Sequence, residues 1–376
     1  MIQELFKKMP QINASDLHLT PGISPTFRIF GELVKNDEPG LTSEEIQKVI
    51  ESLLTPEQKK HFEEHWDLDF CYHMEGVGRF RTNVMRNRLG HAMIARFLPE
   101  TIPTPEELGL SETVIKLTEH HQGLVLVTGP IRSGKTTTIA SLIQMINKAE
   151  SDHIITIEDP IEYVFTKEKA LINQRDTSLH TESTAAAMRA SLREDPDIIF
   201  VGEMRDLETM HLAIGAAETG HLVFSTLNTK SAHKTIDRIL DSFPPKQIAQ
   251  IQTLLAGSLK GVIAQQLVKR ADGKGMTIAT EILLGSLALG NMIRDGKTFQ
   301  IPSAMQMGRA SGMITMEESL LNLYKKGVIT FEEAAKKAPD PKTFKLKYAE
   351  PDADNVSKNL AVKISDPKNT PTKDKK

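Results

Sequence analysis

Gly129-Pro130-Ile131-Arg132-Ser133-Gly134-Lys135-Thr136 fits the pattern GxxxxGK[ST], and the residues on either side decide what the pattern means. Upstream, Leu124-Val125-Leu126-Val127-Thr128 is an apolar run of strand length. Downstream, Ile139, Leu142, Ile143 and Ile146 recur at i, i+3, i+4 and i+7, the spacing of one helix face. A strand feeding a glycine-rich turn that opens a helix aims several backbone N–H groups and the positive end of a helix at one spot, which is an anion site. Gly129, Pro130, Ile131, Arg132, Ser133, Gly134, Lys135, Thr136 and Thr137 are therefore the expected nucleotide-binding residues. Lys135 neutralises charge on the β- and γ-phosphates and the Thr136 hydroxyl is the expected Mg²⁺ ligand, which makes ATP and Mg²⁺ the expected ligands.

Reading outward from the loop, further buried strand-like runs (IITIED, DIIFVGE, LVFSTLN) alternate with helical segments, the pattern of a parallel sheet with crossover helices. A second amphipathic helix is expected over roughly Ile248 to Leu267. Acidic residues end two of the runs, where ligands of open α/β sheets bind. Glu203 follows Ile198-Ile199-Phe200-Val201-Gly202 and is the candidate general base, able to orient and deprotonate a water attacking the γ-phosphate. Glu158 and Asp159, with Glu162 shortly after, end another strand and could help hold Mg²⁺ or its waters, or simply terminate the strand. His221 precedes the next strand, as a phosphate contact or as a structural hydrogen-bonding group. Arg79, Arg81 and Arg96 lie far from the loop in sequence, and spacing alone does not say what they touch.

The first hundred residues mix short alternating runs with a helical stretch from about Ser43 to Leu54, an α+β domain placed at 1–98. Pro99, Pro103 and Pro105 mark a linker, 99–122, and the α/β nucleotide domain follows at 123–345. Residues 346–376, poor in aromatics and rich in lysine, read as a disordered tail. A net charge of −3 gives no general attraction to nucleic acid, and 5% aromatic residues offer no evident stacking groove, so a nucleic-acid motor on the same core fold is disfavoured. One cysteine, Cys71, excludes an internal disulfide and a four-cysteine zinc site. The start MIQELFKKMP lacks a signal-peptide core, and no run of ~18 apolar residues occurs, so a cytoplasmic chain is expected.

GPIRSGKTTT, ITIEDPIEYV, LREDPDIIFVGEMRDLET and AAETGHLVFSTLNTKSAHKTIDRILDSFP, in that order, resemble the Walker A, Asp-box, Walker B and His-box segments of type IV pilus retraction ATPases. The likeness begins near Ser15, in ASDLHLTPG, and ends near Phe344. It implies a PAS-like α+β N-terminal domain followed by a RecA-like P-loop ATPase domain. The assembly implied is a homohexamer at the cytoplasmic face of the inner membrane, touching an inner-membrane pilus platform protein and, as a further candidate partner, a second retraction ATPase. By motif, Glu203 is the catalytic glutamate, Glu158 the Asp-box acid, His221 the first His-box histidine, and Arg81 and Arg96 the arginines that reach the γ-phosphate. Arg79 is a third candidate. LALGNMIRDGK loosely resembles the family's C-terminal AIRNLI-type segment, with Gly290 where that segment has arginine. Two residues depart from the family pattern. Arg132 replaces the second glycine of GPTGSGK, where a left-handed backbone would strain a residue with a Cβ, and Asn228 replaces the second His-box histidine, keeping a hydrogen-bonding group without its charge. Both departures point to an auxiliary or slower member.

Overall fold

The computed structural model describes residues 1–177 and 179–349. Among the described residues thirteen strands form two sheets. The first is antiparallel and six-stranded, with β1 (Ala14–Leu19), β2 (Thr26–Ile29), β3 (Glu32–Lys35), β4 (Asp67–Met74), β5 (Gly78–Asn87) and β6 (Gly90–Leu98) in the order β3-β2-β1-β6-β5-β4. One face is apolar: Leu17, Leu19, Phe80, Val84, Met93 and Ala95 pack under the helices Ile2–Gln11 and Ser43–Leu53. The second helix starts where its sequence dictates. Thr42 accepts from the Glu45 N–H and the Glu45 carboxylate accepts from the Thr42 N–H, a reciprocal cap.

The second sheet has seven strands in the order β13-β12-β7-β11-β10-β8-β9. β7 (Gly123–Thr128), β8 (His153–Glu158), β9 (Leu171–Asp176), β10 (Ile198–Val201), β11 (Leu222–Leu227) and β12 (Leu259–Lys269) pair in parallel, and β13 (Met276–Leu284) closes one edge antiparallel to β12. Every residue of β7, β10 and β11 is buried, as expected for strands covered on both faces. The fold is thus mixed α/β, an N-terminal domain followed by a nucleotide-binding domain.

Three boundaries differ from the sequence reading. The helix expected to reach Leu267 ends at Ser258, and β12 begins at Leu259. Leu255, Leu259, Val262 and Ile263 keep the i, i+4, i+7, i+8 spacing of a helix face past Ser258, so periodicity does not reveal the boundary, and the β-branched Val262 and Ile263 take the slot between β7 and β13. The linker 99–122 is shorter than expected, because Leu110, Val114 and Leu117 are buried against Val125, Val127 and Ile143 of the nucleotide domain. The tail begins later than 346, since the helix Pro341–Tyr348 is capped by Asp340 and Tyr348 donates to Glu317 at 2.7 Å. The rest of that expected tail, 350–376, lies outside the described residues. No helix among the described residues is long and apolar enough to cross a membrane.

Candidate active site

The phosphate loop leaves β7 at its C-terminal end and closes at Lys135, the first residue of the helix Lys135–Ala149. Its glycines are required by geometry. A Cβ on Gly129 would lie 2.3 Å from the Gln265 carbonyl oxygen, and Gly134 sits at φ 84°. Arg132 adopts φ 67°, the left-handed backbone anticipated at that position. Gln265 on β12 braces the loop: its Nε2 donates to the Ser133 carbonyl at 2.7 Å, and its Oε1 accepts from Thr138 at 2.9 Å. Nothing in the sequence marked Gln265, whose partners lie more than 120 residues away in a segment read as helix. Ser133 Oγ is buried without a hydrogen-bond partner among the described residues. Together with the N–H-lined loop and the helix end, that orphaned hydroxyl fits a phosphate group.

Lys135 Nζ donates to the carbonyls of Gly129 and Pro130 and to Asn228 Oδ1 at 2.9 Å. Burial lowers its pKa, against the opposing pull of Glu203 and Glu162. Asn228, just past the end of β11, also donates a short hydrogen bond to Glu203 Oε1. The other Glu203 oxygen accepts from Arg205 at 2.8 Å, and Arg205 reaches Asp159 at 3.3 Å. Asn228 therefore links the loop lysine to the strand-end glutamate. Glu158, at the end of β8, accepts from Thr156 at 2.6 Å and from Gln174 at 3.2 Å. Burial pushes its carboxyl up to about 7, and those two donors only partly offset it. Tyr163 joins the same wall, its hydroxyl 3.0 Å from that of Thr137.

The N-terminal sheet faces this loop with its other side. Register sets Arg28, Asp16, Arg96 and Arg81 directly opposite one another across β2, β1, β6 and β5, so the four side chains form one row on the face away from the core. A bulge between Ala14 and Asp16 precedes the row. Row and phosphate loop line one cleft of about 1250 Å³, which also takes in Lys135, Thr136, Thr137, Glu158, Glu203 and Asn228. Arg81 approaches Glu162 at 3.7 Å, and Arg96 donates to Asp16 at 3.0 Å. Arg79 donates to the Glu162 carbonyl at 3.4 Å and interacts with the Cys71 side chain, and it does not line the cleft. His221 is not brought to the cleft. It precedes the N-terminal end of β11, six strand residues or about 20 Å from Asn228 at roughly 3.3 Å each. Its ring hydrogen-bonds the Ala216 carbonyl, in the last turn of the helix Leu207–Glu218. A residue before a strand and one after it lie at opposite ends of that strand, and Asn228 stands at the end where the phosphate loop leaves the parallel neighbour β7, while His221 makes the structural hydrogen bond that was its other reading.

Fold and cleft together define a P-loop nucleotide-binding protein with a second domain set against its phosphate loop. Residues 2–328 match the model of the type II/IV secretion system protein family, and the chain belongs to that family. It is 44% identical over 343 residues to the type IV pilus retraction ATPase PilT of Pseudomonas aeruginosa, covering 91% of this chain and 99% of the relative. It is 34% identical over 370 residues to the type IV pilus ATPase PilU of the same organism, covering 97% of each. The crystal structure of the pilus retraction motor PilT with bound ADP superposes at a TM-score of 0.80 with 48% identity, over 91% of this chain and 98% of that one.

Proposed function

We propose that the chain is an ATP-hydrolysing motor subunit of type IV pilus retraction. The observation that best supports this is the meeting, in one cleft, of a phosphate loop, a strand-end glutamate tied to the loop lysine, and arginines from a separate domain. In this reading the loop N–H groups and Lys135 hold the β- and γ-phosphates. Glu203 orients a water and accepts its proton as the oxygen bonds to the γ-phosphorus and the bond to the β-bridging oxygen breaks, releasing ADP and inorganic phosphate. Arg81 and Arg96 stabilise the charge that develops on the transferring group, which couples hydrolysis to approach of the N-terminal domain. The Thr136 hydroxyl would hold Mg²⁺, whose contribution when bound is to neutralise charge on the phosphate oxygens. Burial keeps a share of Glu158 protonated near neutrality, so it can donate as well as accept a hydrogen bond beside Glu203.

The working form in this proposal is a homohexamer at the cytoplasmic face of the inner membrane, docked on the pilus platform protein. A second reading, an auxiliary and slower retraction ATPase, is favoured by the left-handed backbone of Arg132, a conformation costing roughly 1–3 kcal/mol in a residue with a Cβ. Phosphate release by purified protein with ATP and Mg²⁺, read beside electron microscopy with a non-hydrolysable analogue, tests both. Six-membered rings with steady turnover are expected. Tight ATP binding without phosphate release overturns the motor reading and leaves a binding-only subunit.

A further inference from the structure

Asp16 is the one acid in a row of arginines. Its side chain is 1% exposed, yet it lies within reach of three guanidinium groups: Arg96 Nε at 3.0 Å, Arg28 Nε at 3.7 Å and Arg132 Nη2 at 3.8 Å. Ser15 Oγ donates to its second oxygen at 2.8 Å. Burial alone would raise the Asp16 pKa, but Arg96, the Ser15 hydroxyl and Arg132 together hold it below the usual carboxylate value. Three cations less one anion leave a local charge of +2 where the N-terminal sheet meets the phosphate loop. Without the carboxylate, Arg28 and Arg96 would be like charges flanking one strand, and they would repel. The third partner differs in origin. Arg28 and Arg96 belong to strands adjacent to β1, whereas Arg132 comes from the phosphate loop of the other domain, at the position where the sequence departs from glycine.

We propose that Asp16 is a positioning residue of the nucleotide site, orienting Arg96 through one strand register and tethering Arg132 of the phosphate loop, so that the N-terminal sheet and the loop meet the terminal phosphate as one unit. The proposal rests on the nucleotide reading above. It gives the Arg132 substitution a role that a glycine cannot fill, since glycine has no side chain to reach Asp16. A tether of this kind acts on the group that distinguishes ATP from ADP rather than on the whole nucleotide.

The test is a double-mutant cycle of Asp16→Asn and Arg132→Gln, read as the dissociation constants of ADP and of a non-hydrolysable ATP analogue. Glutamine keeps the Cβ and its backbone demand, so what is removed is the guanidinium, its charge and its reach to Asp16. Each single variant is expected to weaken the analogue about tenfold while ADP changes less than about twofold, and the double variant is expected to be no worse than the weaker single one. Arg132→Lys should restore most of the analogue affinity lost by the glutamine variant. Losses that multiply in the double variant show independent sites and overturn the proposal. So does an equal loss for ADP and analogue accompanied by a lower melting temperature, which is a folding role only. Should Asp16→Asn fail to fold, Asp16→Glu, which keeps the charge and shifts the carboxylate by one methylene, enters the same cycle with the same expectations. A parent chain that binds neither nucleotide sinks the nucleotide reading, and this proposal with it; a parent that discriminates ATP from ADP, with uncoupled variants, sinks this proposal alone.

Discussion

The seven-stranded sheet brings Glu158, Glu203 and Asn228 to the cleft at its strand ends, whereas the six-stranded sheet brings Arg28, Asp16, Arg96 and Arg81 from the middle of its strands. The burial patterns follow from that contrast. All six residues of β7 are buried because the strand is only a floor, while the first eight residues of β5 alternate between full and partial burial because one face is core and the other is chemistry. End-on delivery leaves each group on a loop that can adjust. Face-on delivery fixes every group by register, and a slip of one residue would turn the arginines into the core.

The largest expected effect concerns an end-on group. Glu203→Gln should bind ATP with near-parent affinity and turn over at least ~100-fold slower, since removal of a general base costs 10²–10⁴. Phosphate release measures it, and parent-like turnover would remove the strand end from the chemistry. Next is the pH response of Glu158. Burial pushes its carboxyl up to about 7 in the folded protein, above the ordinary glutamate value of 4.5. The folded state therefore holds more protons between those values, and its stability is present below about 4.5 and lost as pH rises towards 7. Glu158→Gln should gain on the parent by about 3 kcal/mol between pH 4 and pH 8 without metal, read by urea unfolding. A difference that is flat with pH contradicts the burial argument.

The face-on row should respond more weakly. Arg81→Ala and Arg96→Ala should each lower turnover about tenfold or more with ADP affinity kept, while Arg79→Ala, beside the cleft, should stay within about twofold. Equal behaviour of all three would mean that register does not select the working arginines. The smallest effect is expected at the brace: Gln265→Leu leaves the Ser133 carbonyl and the Thr138 hydroxyl unpaired and should cost about 1–3 kcal/mol in thermal unfolding. A larger loss of activity than of stability would show that the loop, rather than the fold, depends on β12.

How much of this was legible in the sequence divides along the same line. The phosphate loop, Lys135 and Glu203 announce themselves because end-on chemistry comes in local spacings: a strand, a turn and a charge within ten residues. Asp16 and Arg96 are 80 residues apart, and their meeting depends on strand order, which no local pattern encodes. Gln265 was hidden for a further reason, the apolar residues leading into its strand keeping the spacing of a helix face. His221 and Asn228 flank the same strand, and only the direction of that strand relative to the loop tells which one reaches the cleft.

The primary amide of Asn228 has two unlike ends, an oxygen turned to Lys135 and a nitrogen turned to Glu203. Turning it over would set donor against donor and acceptor against acceptor, so the connection has a sense, like a diode between a cation and an anion. Aspartate would repel the glutamate and a protonated histidine would repel the lysine. The uncharged amide offers an acceptor to Lys135 and a donor to Glu203 without adding a charge between them.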